Sequence, residues 1–280
     1  MLTSIKNRKR NKTPNTIQWR RFLGTTGMLS ILIVIASFCI THYINRREEA
    51  RSLQRLYRET SNIAENIQSY AEDDQKELEI LSAAASQFQD LSSPELWRLL
   101  SSHTNIGMIS RIELLLPGNI VLTKEGKRVD ANGLLSFEEE AAKGAHITNR
   151  EADILHADTY VIRHYVPVRQ KGKIVAMLYG VINLDELPEN LNLDPYAGRG
   201  ALYIIEGNTG NFLVNTWHTD DVENIWALGD RKMALDYSPE QLKQGITSGA
   251  SQYVIFISET IREYLYFYFG PLEINEWRIA

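Results

Sequence analysis

The sequence predicts an α+β protein in which an N-terminal membrane helix continues into a long helix, followed by two antiparallel sheets. Three observations lead to this fold class. There is an uncharged stretch of 23 residues from Phe22 to Ile44, an amphipathic pattern without proline or glycine from Asn45 to about Leu91, and two successive series of alternating strands. With 280 residues and 44% hydrophobic content, the chain can bury packed cores, so a disordered protein is not expected.

The uncharged stretch 22–44 has the length of a membrane span, since a helix of about 20 apolar residues crosses the hydrocarbon core of a bilayer. A cleaved signal peptide is the alternative. Such peptides have apolar cores of about 7–15 residues and end at small residues, whereas this stretch ends in Thr41-His42-Tyr43-Ile44 and is followed by Arg46-Arg47. The sequence therefore predicts an uncleaved transmembrane helix.

The charges beside this stretch predict its orientation. Residues 1–21 contain seven basic and no acidic side chains, while Glu48 and Glu49 dilute the arginines on the other side. Basic flanks stay in the cytoplasm, so we expect a cytoplasmic tail at 1–21 and residues 45–280 outside the cytoplasmic membrane. A basic tail next to a span is expected to attract anionic membrane lipid, and nucleic acid is not an expected partner. The sole cysteine, Cys39, lies in the span, so the exported part has no disulfide.

The segment 45–91 predicts one long amphipathic helix. Its apolar residues recur mostly at steps of three and four, which is the period of a helix with one apolar face. A single helix cannot bury such a stripe on itself, so it must lie against a following domain or a partner chain. We therefore expect a homodimer that forms through residues 45–90. The recurring residues are Leu53, Leu56, Tyr57, Ile63, Ile67, Tyr70, Leu78, Leu81 and Phe88.

Residues 92–187 predict a first small module. Ser93-Pro94-Glu95 is typical of a helix start with a serine N-cap, and Ser136 to Glu139 predicts a second helix, which opens with a capping box and ends at Gly144. Alternating apolar residues bounded by turns indicate strands. The predicted strands are 108–116, 120–123, 159–168 and 173–184, the last two joined by the turn 169–172.

Residues 188–280 predict a second module of similar kind. The segment 188–195 is rich in turn formers and is interpreted as the boundary between the modules. Ser238-Pro239, with Gln241 three residues after the cap, predicts a helix, and Gly270-Pro271 is expected to break the strand before it. The predicted strands are 201–206, 211–216, 252–257, 263–269 and a short last strand ending at Ala280. We expect about five antiparallel strands in each module.

This organisation resembles a double Cache sensor region, in which two PAS-like modules stack along a helix. The second module is most similar to the sensor halves of certain bacterial membrane diguanylate cyclases, on the residues Tyr203 to His218, Ser238 to Leu242, and Tyr264 to Pro271 with Trp277. The resemblance implies a membrane-distal Cache module at 92–187 and a membrane-proximal one at 188–280. In that family the last strand continues to a second span and a cytoplasmic output domain, so we expect this chain to end inside the truncated last strand.

The strand 160–168 and its neighbour supply the predicted ligand-binding residues, Arg163, Tyr165, Tyr179 and Asn183. Strand alternation places Arg163 and Tyr165 on one face, and an arginine among apolar neighbours could grip an anionic ligand with its fork of donors. A surface arginine, or one paired with Glu113, is the alternative, and the other three residues could serve in sheet packing. In the double Cache family, receptors for amino acids carry Arg-x-Trp-Tyr and a late aspartate. This chain lacks the first and has Asn183 in place of the second, so free amino acids are not the expected ligand.

Catalytic motifs are lacking. There is no His-Glu-x-x-His, no Gly-x-Ser-x-Gly and no Gly-Gly-Asp/Glu-Glu-Phe signature, so no catalytic residue, metal ligand or cofactor is predicted.

The expected function is extracytoplasmic sensing of a small molecule that controls a cytoplasmic diguanylate cyclase or similar output domain outside this chain. A membrane-tethered binding or assembly protein is the alternative. An external hydrolase would require His218, which with Trp217 follows a strand end, to lie beside a serine or a carboxylate.

Overall fold

A computed structural model of the chain describes residues 16–102, 107–191, 200–216, 224–229, 231–258 and 263–280. The chain divides into two units, Met1–Arg55 and Leu56–Ala280. Most of the basic tail, the second half of the predicted module boundary at 188–195, and both Trp217 and His218 lie outside the described residues.

Helix α1 extends from Thr16 to Ala85 and contains the predicted span. Within the described part of the chain, it is the one helix that is long and apolar enough to cross a membrane. Its apolar stretch is exposed, with Phe38 at 73% and Val34 at 67%. Apolar side chains that no protein covers are what a lipid-facing helix requires.

From Leu56 onward, α1 buries one stripe of side chains against the rest of its unit. Most of these residues recur at steps of three and four, as predicted, and the helix therefore lies against the following domain. Of the predicted apolar residues, Ile67, Leu78 and Leu81 belong to the stripe, whereas Tyr57 and Tyr70 are exposed. The helix ends at Ala85 rather than near Leu91, because hydrogen bonds to the carbonyls of Ala84 and Ala85 tighten the chain into a turn. The buried residues of the stripe are Thr60, Ile67, Ala71, Asp74, Leu78, Leu81, Ser82 and Ala85.

The described residues between 111 and 183 include seven strands of one antiparallel sheet, called here the first sheet. The pairing order is β3-β2-β1-β7-β6-β4, and β5 also pairs with β6. The sequence predicts four of these strands and misses β3, β4 and β5, which have two or three residues and so show no alternation. The strands are Arg111–Leu116, Ile120–Leu122, Arg128–Asp130, His146–Ile147, Glu151–Ala152, Tyr160–Gln170 and Lys173–Asn183, numbered β1 to β7.

The hairpin of β6 and β7 fixes the register of the first sheet. Lys171 and Gly172 connect the two strands with φ angles of 50° and 80°. These left-handed values are those of the two-residue turn whose twist matches that of paired strands. The turn is thus shorter than the predicted segment 169–172. A bulge between Val168 and Arg169 then shifts the pairing by one residue, so that Tyr165 lies opposite Tyr179 and Arg163 opposite Val181.

Two short helices flank the first sheet. Helix α2, Pro94–Ser101, begins after Ser93 as predicted, but the Ser93 side chain makes no capping hydrogen bond. Helix α3, Phe137–Lys143, begins at Ser136, whose side chain accepts a hydrogen bond from the N–H of Glu139, and ends at Gly144. The predicted bounds of α3 are confirmed.

A second antiparallel sheet contains five strands among the described residues, in the order β10-β11-β12-β8-β9. Strand β11 continues through Gly270 and Pro271, so the predicted break there is wrong. The ladder of β11 with β10 ends at Phe269. Among the described residues, no strand pairs with Pro271 on the β10 side of β11, so the N–H that proline lacks is not required there. The strands are Tyr203–Glu206, Phe212–Asn215, Gln252–Ile257, Tyr264–Pro271 and Trp277–Ile279, numbered β8 to β12; the helices are Leu187–Asn190, Ile225–Gly229 and Pro239–Ser248, numbered α4 to α6.

The cap of α6 is the predicted one. The Ser238 side chain accepts from the N–H of Gln241, whose own side chain accepts from the N–H of Ser238. These reciprocal bonds satisfy two backbone donors that a helix start would otherwise leave without partners.

One hydrophobic core joins α1 to both sheets. Its buried members include Leu78 of α1, Ile162 of the first sheet, and Ile204 and Trp277 of the second sheet. Two further clusters lie elsewhere in this unit, one within the second sheet and its helices and one on the other face of the first sheet. The latter cluster contains two of the predicted site residues, Tyr165 and Tyr179.

Candidate ligand-binding site

The face of the first sheet that points away from α1 carries a buried polar cluster. Alternation along β6 divides its side chains between two cores. Ile162 and Val166 pack in the core shared with α1, whereas Val161 and Tyr165 pack in the cluster of the opposite face. Arg163, which lies between the last two, shares their face. Tyr179 lies directly opposite Tyr165 in the ladder of β6 and β7, so it is on this face too.

Strand β1 adds a carboxylate and a second arginine to this face. Glu113 pairs with Tyr179 across the ladder, and Arg111 pairs with Val181. The hydroxyl of Tyr179 donates to Glu113 at 2.6 Å, and Nε of Arg111 donates to the same carboxylate at 2.7 Å. Burial raises the pKa of Tyr179 well above its usual range, so this residue is a neutral hydrogen-bond donor.

Arg163 is the most buried charged group of the cluster, with 1% of its surface exposed. Its Nη1 pairs with the carboxylate of Glu151, and its Nη2 donates to the carbonyl oxygen of Ala152 at 2.7 Å. Both partners belong to β5. The alternatives of a surface arginine and of a pair with Glu113 are therefore wrong for this residue.

Two donors of this face have no hydrogen-bond partner among the described residues, the Nε of Arg163 and the hydroxyl of Tyr165. Tyr165 has no exposed surface, and its ring lies between those of Tyr179, at 4.9 Å, and His146, at 5.1 Å. An unsatisfied buried donor costs about 1–3 kcal/mol. Residues two apart on a strand share a face, so Arg163 and Tyr165 can both donate to an acceptor oxygen that lies on this face.

The loop that follows β5 closes the cluster with a third carboxylate. Asp153 pairs with Arg111 through Nη2 at 2.5 Å, and Nδ1 of His156 lies 2.8 Å from its other oxygen. Burial alone would raise the pKa of Asp153, but hydrogen bonds from His156 and the Leu155 N–H, together with the charge of Arg111, lower it below its usual range. Asp153 is therefore an anion that balances Arg111.

The structure thus brings together three of the four predicted site residues, Arg163, Tyr165 and Tyr179. Asn183 lies opposite Val161 at the end of the hairpin. Its side chain is engaged locally, because its amide donates to Glu186 at 3.0 Å and its oxygen accepts from the Asp185 N–H. The ligand-binding role of all four residues stays a prediction.

Sequence reasoning misses the partners that surround these residues. Glu151 and Asp153 follow a short segment whose pattern gives no strand signal, and Arg111 lies within a predicted strand but was not singled out. The signal that could have identified Arg111 is its position two residues before Glu113 on the same strand, which places both charges on one face. In the described part of the chain, no group of three or more His, Cys, Asp or Glu side chains is arranged to hold a metal ion.

Two grooves lie elsewhere, where the 56–68 stretch of α1 meets the second sheet. The larger has a volume of about 210 Å³. Tyr57 and Tyr268, whose rings meet edge to face at 5.4 Å, are among the residues that line it. None of the four predicted site residues lines either groove.

Comparison with known proteins identifies the fold. No protein-family model matches the chain, and no curated protein sequence matches it. Solved structures do match. Methyl-accepting chemotaxis protein X has a TM-score of 0.61 at 14% identity, with 83% of this chain and 97% of that chain covered. The ligand-binding domain of the Pseudomonas aeruginosa PAO1 chemoreceptor PctC, in complex with GABA, has a TM-score of 0.54 at 14% identity, with 81% and 97% covered.

The extracellular domain assigned to the histidine kinase soHK1S-Z6 also matches, with a TM-score of 0.56 at 15% identity and 82% and 93% of the two chains covered. At these identities the likeness shows the fold. The long helix and the two antiparallel sheets have the α+β arrangement of Cache and PAS-like sensor domains, as predicted. The matched chains are sensor and ligand-binding domains of chemoreceptors and histidine kinases.

Proposed function

We propose that this chain is the extracytoplasmic ligand-sensing region of a transmembrane signalling protein, and that its ligand binds on the outer face of the first sheet, at Arg163, Tyr165 and Tyr179. The observation that carries the proposal is that two buried donors, on Arg163 and Tyr165, find no partner in the described part of the chain. In a sensor fold, such donors favour a ligand that supplies the missing acceptor.

The chemistry of this face limits the ligand class. The arginine and the tyrosine both donate, so we propose a compact molecule that presents an acceptor oxygen, such as a carboxylate. Among the structural neighbours, PctC binds GABA and PctB binds L-Arg or L-Gln. A free amino acid is not proposed here, because the chain lacks the Arg-x-Trp-Tyr run and has Asn183 where an aspartate would hold the amine.

The test is a ligand screen by thermal unfolding of the full chain in lipid nanodiscs. A ligand at about 100 times its Kd stabilises the native form by about 2.7 kcal/mol, so a binder raises the melting temperature. We expect Arg163→Gln to abolish this shift. Arg169→Gln is the matched control, because Arg169 is an exposed residue of the same strand, and it should keep the shift. Equal shifts in both variants would place the ligand elsewhere and refute the site.

The signalling role includes a direction across the membrane. We propose that residues 1–21 lie in the cytoplasm against anionic lipid and that residues 45–280 lie outside, on the basis of the flanking charges. Protease added to intact cells should degrade the part after the span and spare the tail. Protection of residues 45–280 would contradict this orientation.

The output is proposed to be a cytoplasmic diguanylate cyclase or a similar domain, on the resemblance of the second module to sensor halves of such enzymes. The coding sequence after Ala280 tests this directly. A second apolar span followed by a cyclase domain would support it, whereas an immediate stop codon would favour a membrane-tethered binding protein.

Dimerisation through residues 45–90 remains part of the proposal. The stripe that packs on the sheets is buried, and the helix still exposes Tyr57, Tyr70 and Ile80, at 52%, 44% and 62%. Cross-linking at native expression should give a dimer through this helix. A monomer under these conditions would remove dimerisation from the proposed mechanism.

A further inference from the structure

The segment Thr148 to Glu151, called here the connecting segment, contacts the candidate site with its two ends. At one end, the Thr148 N–H donates to the carbonyl oxygen of Arg163 at 2.8 Å, and its hydroxyl oxygen accepts from the Arg163 N–H at 2.9 Å. At the other end, the carboxylate of Glu151 pairs with the Arg163 guanidinium. Both the backbone and the side chain of Arg163 are therefore held by this segment.

The two middle residues of the connecting segment contact the second sheet instead. The Arg150 N–H donates to Oε1 of Glu206 at 2.8 Å, and Oδ1 of Asn149 accepts from Nε1 of Trp277 at 2.9 Å. Glu206 and Trp277 are opposite each other in the ladder of β8 and β12. The segment thus connects one residue of the first sheet to one residue pair of the second.

The contacts on the second sheet are buried and specific. Glu206 and Trp277 are 5% and 3% exposed, and the second oxygen of Glu206 accepts from the hydroxyl of Thr209 at 2.6 Å. The amide of Asn275 adds a bond of 2.9 Å to the carbonyl oxygen of Ile147, just before the segment. Because hydrogen bonds link the connecting segment to Glu206, Trp277 and Asn275, a shift of the segment should also displace the end of β12.

Glu151 differs from these partners because it is accessible. Its side chain is 35% exposed, whereas that of Arg163 is 1% exposed. A solvent-accessible carboxylate on a buried arginine is the group that an incoming anion can replace with the least loss, since the displaced carboxylate regains water. Glu151 lies two residues after Asn149 and one after Arg150, so its release removes a side-chain restraint at one end of the segment that contacts Glu206 and Trp277.

We propose that Glu151 is an internal occupant of Arg163, and that its replacement by an anionic ligand is transmitted through the connecting segment to Glu206 and Trp277. This inference rests on the proposed function for the identity of the site, but the coupling itself is a property of the chain without ligand. It assigns Asn149 as a positioning residue between the two sheets.

Hydrogen exchange of the full chain in lipid nanodiscs tests the coupling without a ligand. Glu151→Gln removes the charge that holds Arg163 and should raise exchange about threefold or more, both near β5 and in peptides covering β8 and β12. Glu138→Gln is the matched control, since Glu138 is an exposed glutamate of the same module, and it should change neither region. Unchanged exchange at β2 shows that the variant is folded.

A second variant tests the route. Asn149→Ala removes the bond to Trp277 but keeps the bond between the Arg150 N–H and Glu206. Adding Glu151→Gln to it should therefore produce little further change in β12, while the changes near β5 and in β8 persist. Two outcomes would overturn the proposal. In one, Glu151→Gln alone raises hydrogen exchange only near β5; in the other, it raises exchange in β12 equally with and without Asn149. If Arg163→Gln does not abolish the ligand-induced shift in melting temperature, the hydrogen-exchange result is unaffected. The ligand site and the coupling can therefore be refuted independently.

Discussion

The backbone N–H of Met108 donates a hydrogen bond of 3.0 Å to Oδ2 of Asp74. This contact ties α1 to the chain just before β1. Asp74 is 1% exposed, and burial raises its pKa from 3.8 to about 7, with a further contribution from the neighbouring charge of Asp73. A buried carboxylate with one donor is stable mainly in its protonated form.

The raised pKa of Asp74 predicts that stability falls as the pH rises from about 4 to about 7, because the folded state binds its proton more tightly than the unfolded state. We expect Asp74→Asn to stabilise the protein at pH 8 by on the order of 2–4 kcal/mol and to have little effect at pH 4. Thermal unfolding at both pH values measures this. Glu72→Gln, at an exposed position of the same helix, is the control. A gain from Asp74→Asn that is equal at both pH values would contradict the assignment.

His164 predicts the opposite dependence on pH. It has no exposed surface, neither ring nitrogen has a partner among the described residues, and burial lowers its pKa to about 4, with the charge of His146 acting in the same direction and that of Glu79 against it. The unfolded state therefore binds the proton more tightly. The contribution of neutral His164 to stability is full above pH 6.5 and is lost as the pH falls to about 4.

Replacement of His164 should reduce this loss in acid. We expect His164→Leu to narrow the drop in stability between pH 7 and pH 5 by about 2 kcal/mol, measured by denaturant unfolding at the two pH values. His156→Gln changes an exposed histidine and should not narrow it to this extent. An unchanged drop in His164→Leu would mean that folding does not lower the pKa of His164.

Gly107 is expected to tolerate no side chain. Its φ angle is 60°, and a Cβ there would lie 2.0 Å from Oδ1 of Asp74. Gly118 has a φ angle of 78° but open space around it. Both Gly→Ala changes cost about 1 kcal/mol for the left-handed backbone, and we expect Gly107→Ala to cost about 2 kcal/mol more because of the collision. Equal melting temperatures for the two variants would show that Asp74 moves aside.

The two tyrosines of the candidate site should respond differently to loss of the hydroxyl. Tyr165→Phe removes a buried donor that has no partner among the residues the structure describes, and it should stabilise the free protein by about 1 kcal/mol. Tyr179→Phe removes the donor to Glu113 and should destabilise it by about 2 kcal/mol. Unfolding free energies measure both changes. If the ligand accepts from Tyr165, the more stable Tyr165→Phe variant should also bind it more weakly, and unchanged binding would exclude that contact.

The sequence predicts the part of this site that depends on strand period. Alternation on β6 and on β7 predicts which side chains of each strand share a face, whereas the pairing of Tyr165 with Tyr179 also depends on the bulge between Val168 and Arg169, which the sequence pattern does not show. The same reasoning places Asn183 on the face of Tyr179 but cannot show that Glu186 engages its amide. Local pattern carries no information about which polar group a side chain selects.

Glu151 shows where such reasoning ends. It lies in a two-residue strand, which is too short for a periodic signal, and its pairing with Arg163 depends on how the chain from α3 to β6 folds back on the sheet. The last strands show a related limit. Pro271 predicts a break from its own chemistry, yet strand β11 includes it because the neighbouring ladder with β10 ends at Phe269.

The core that α1 shares with both sheets has a consequence for engineering the protein. Leu78, Ile162 and Ile204 belong to one continuous set of buried side chains, so neither sheet can be separated without exposing the apolar surface of the others to water. Residues 56–280 should therefore melt in a single cooperative transition. A chimera that grafts one module onto a foreign receptor will fold only if the matching stretch of α1 is transplanted with it.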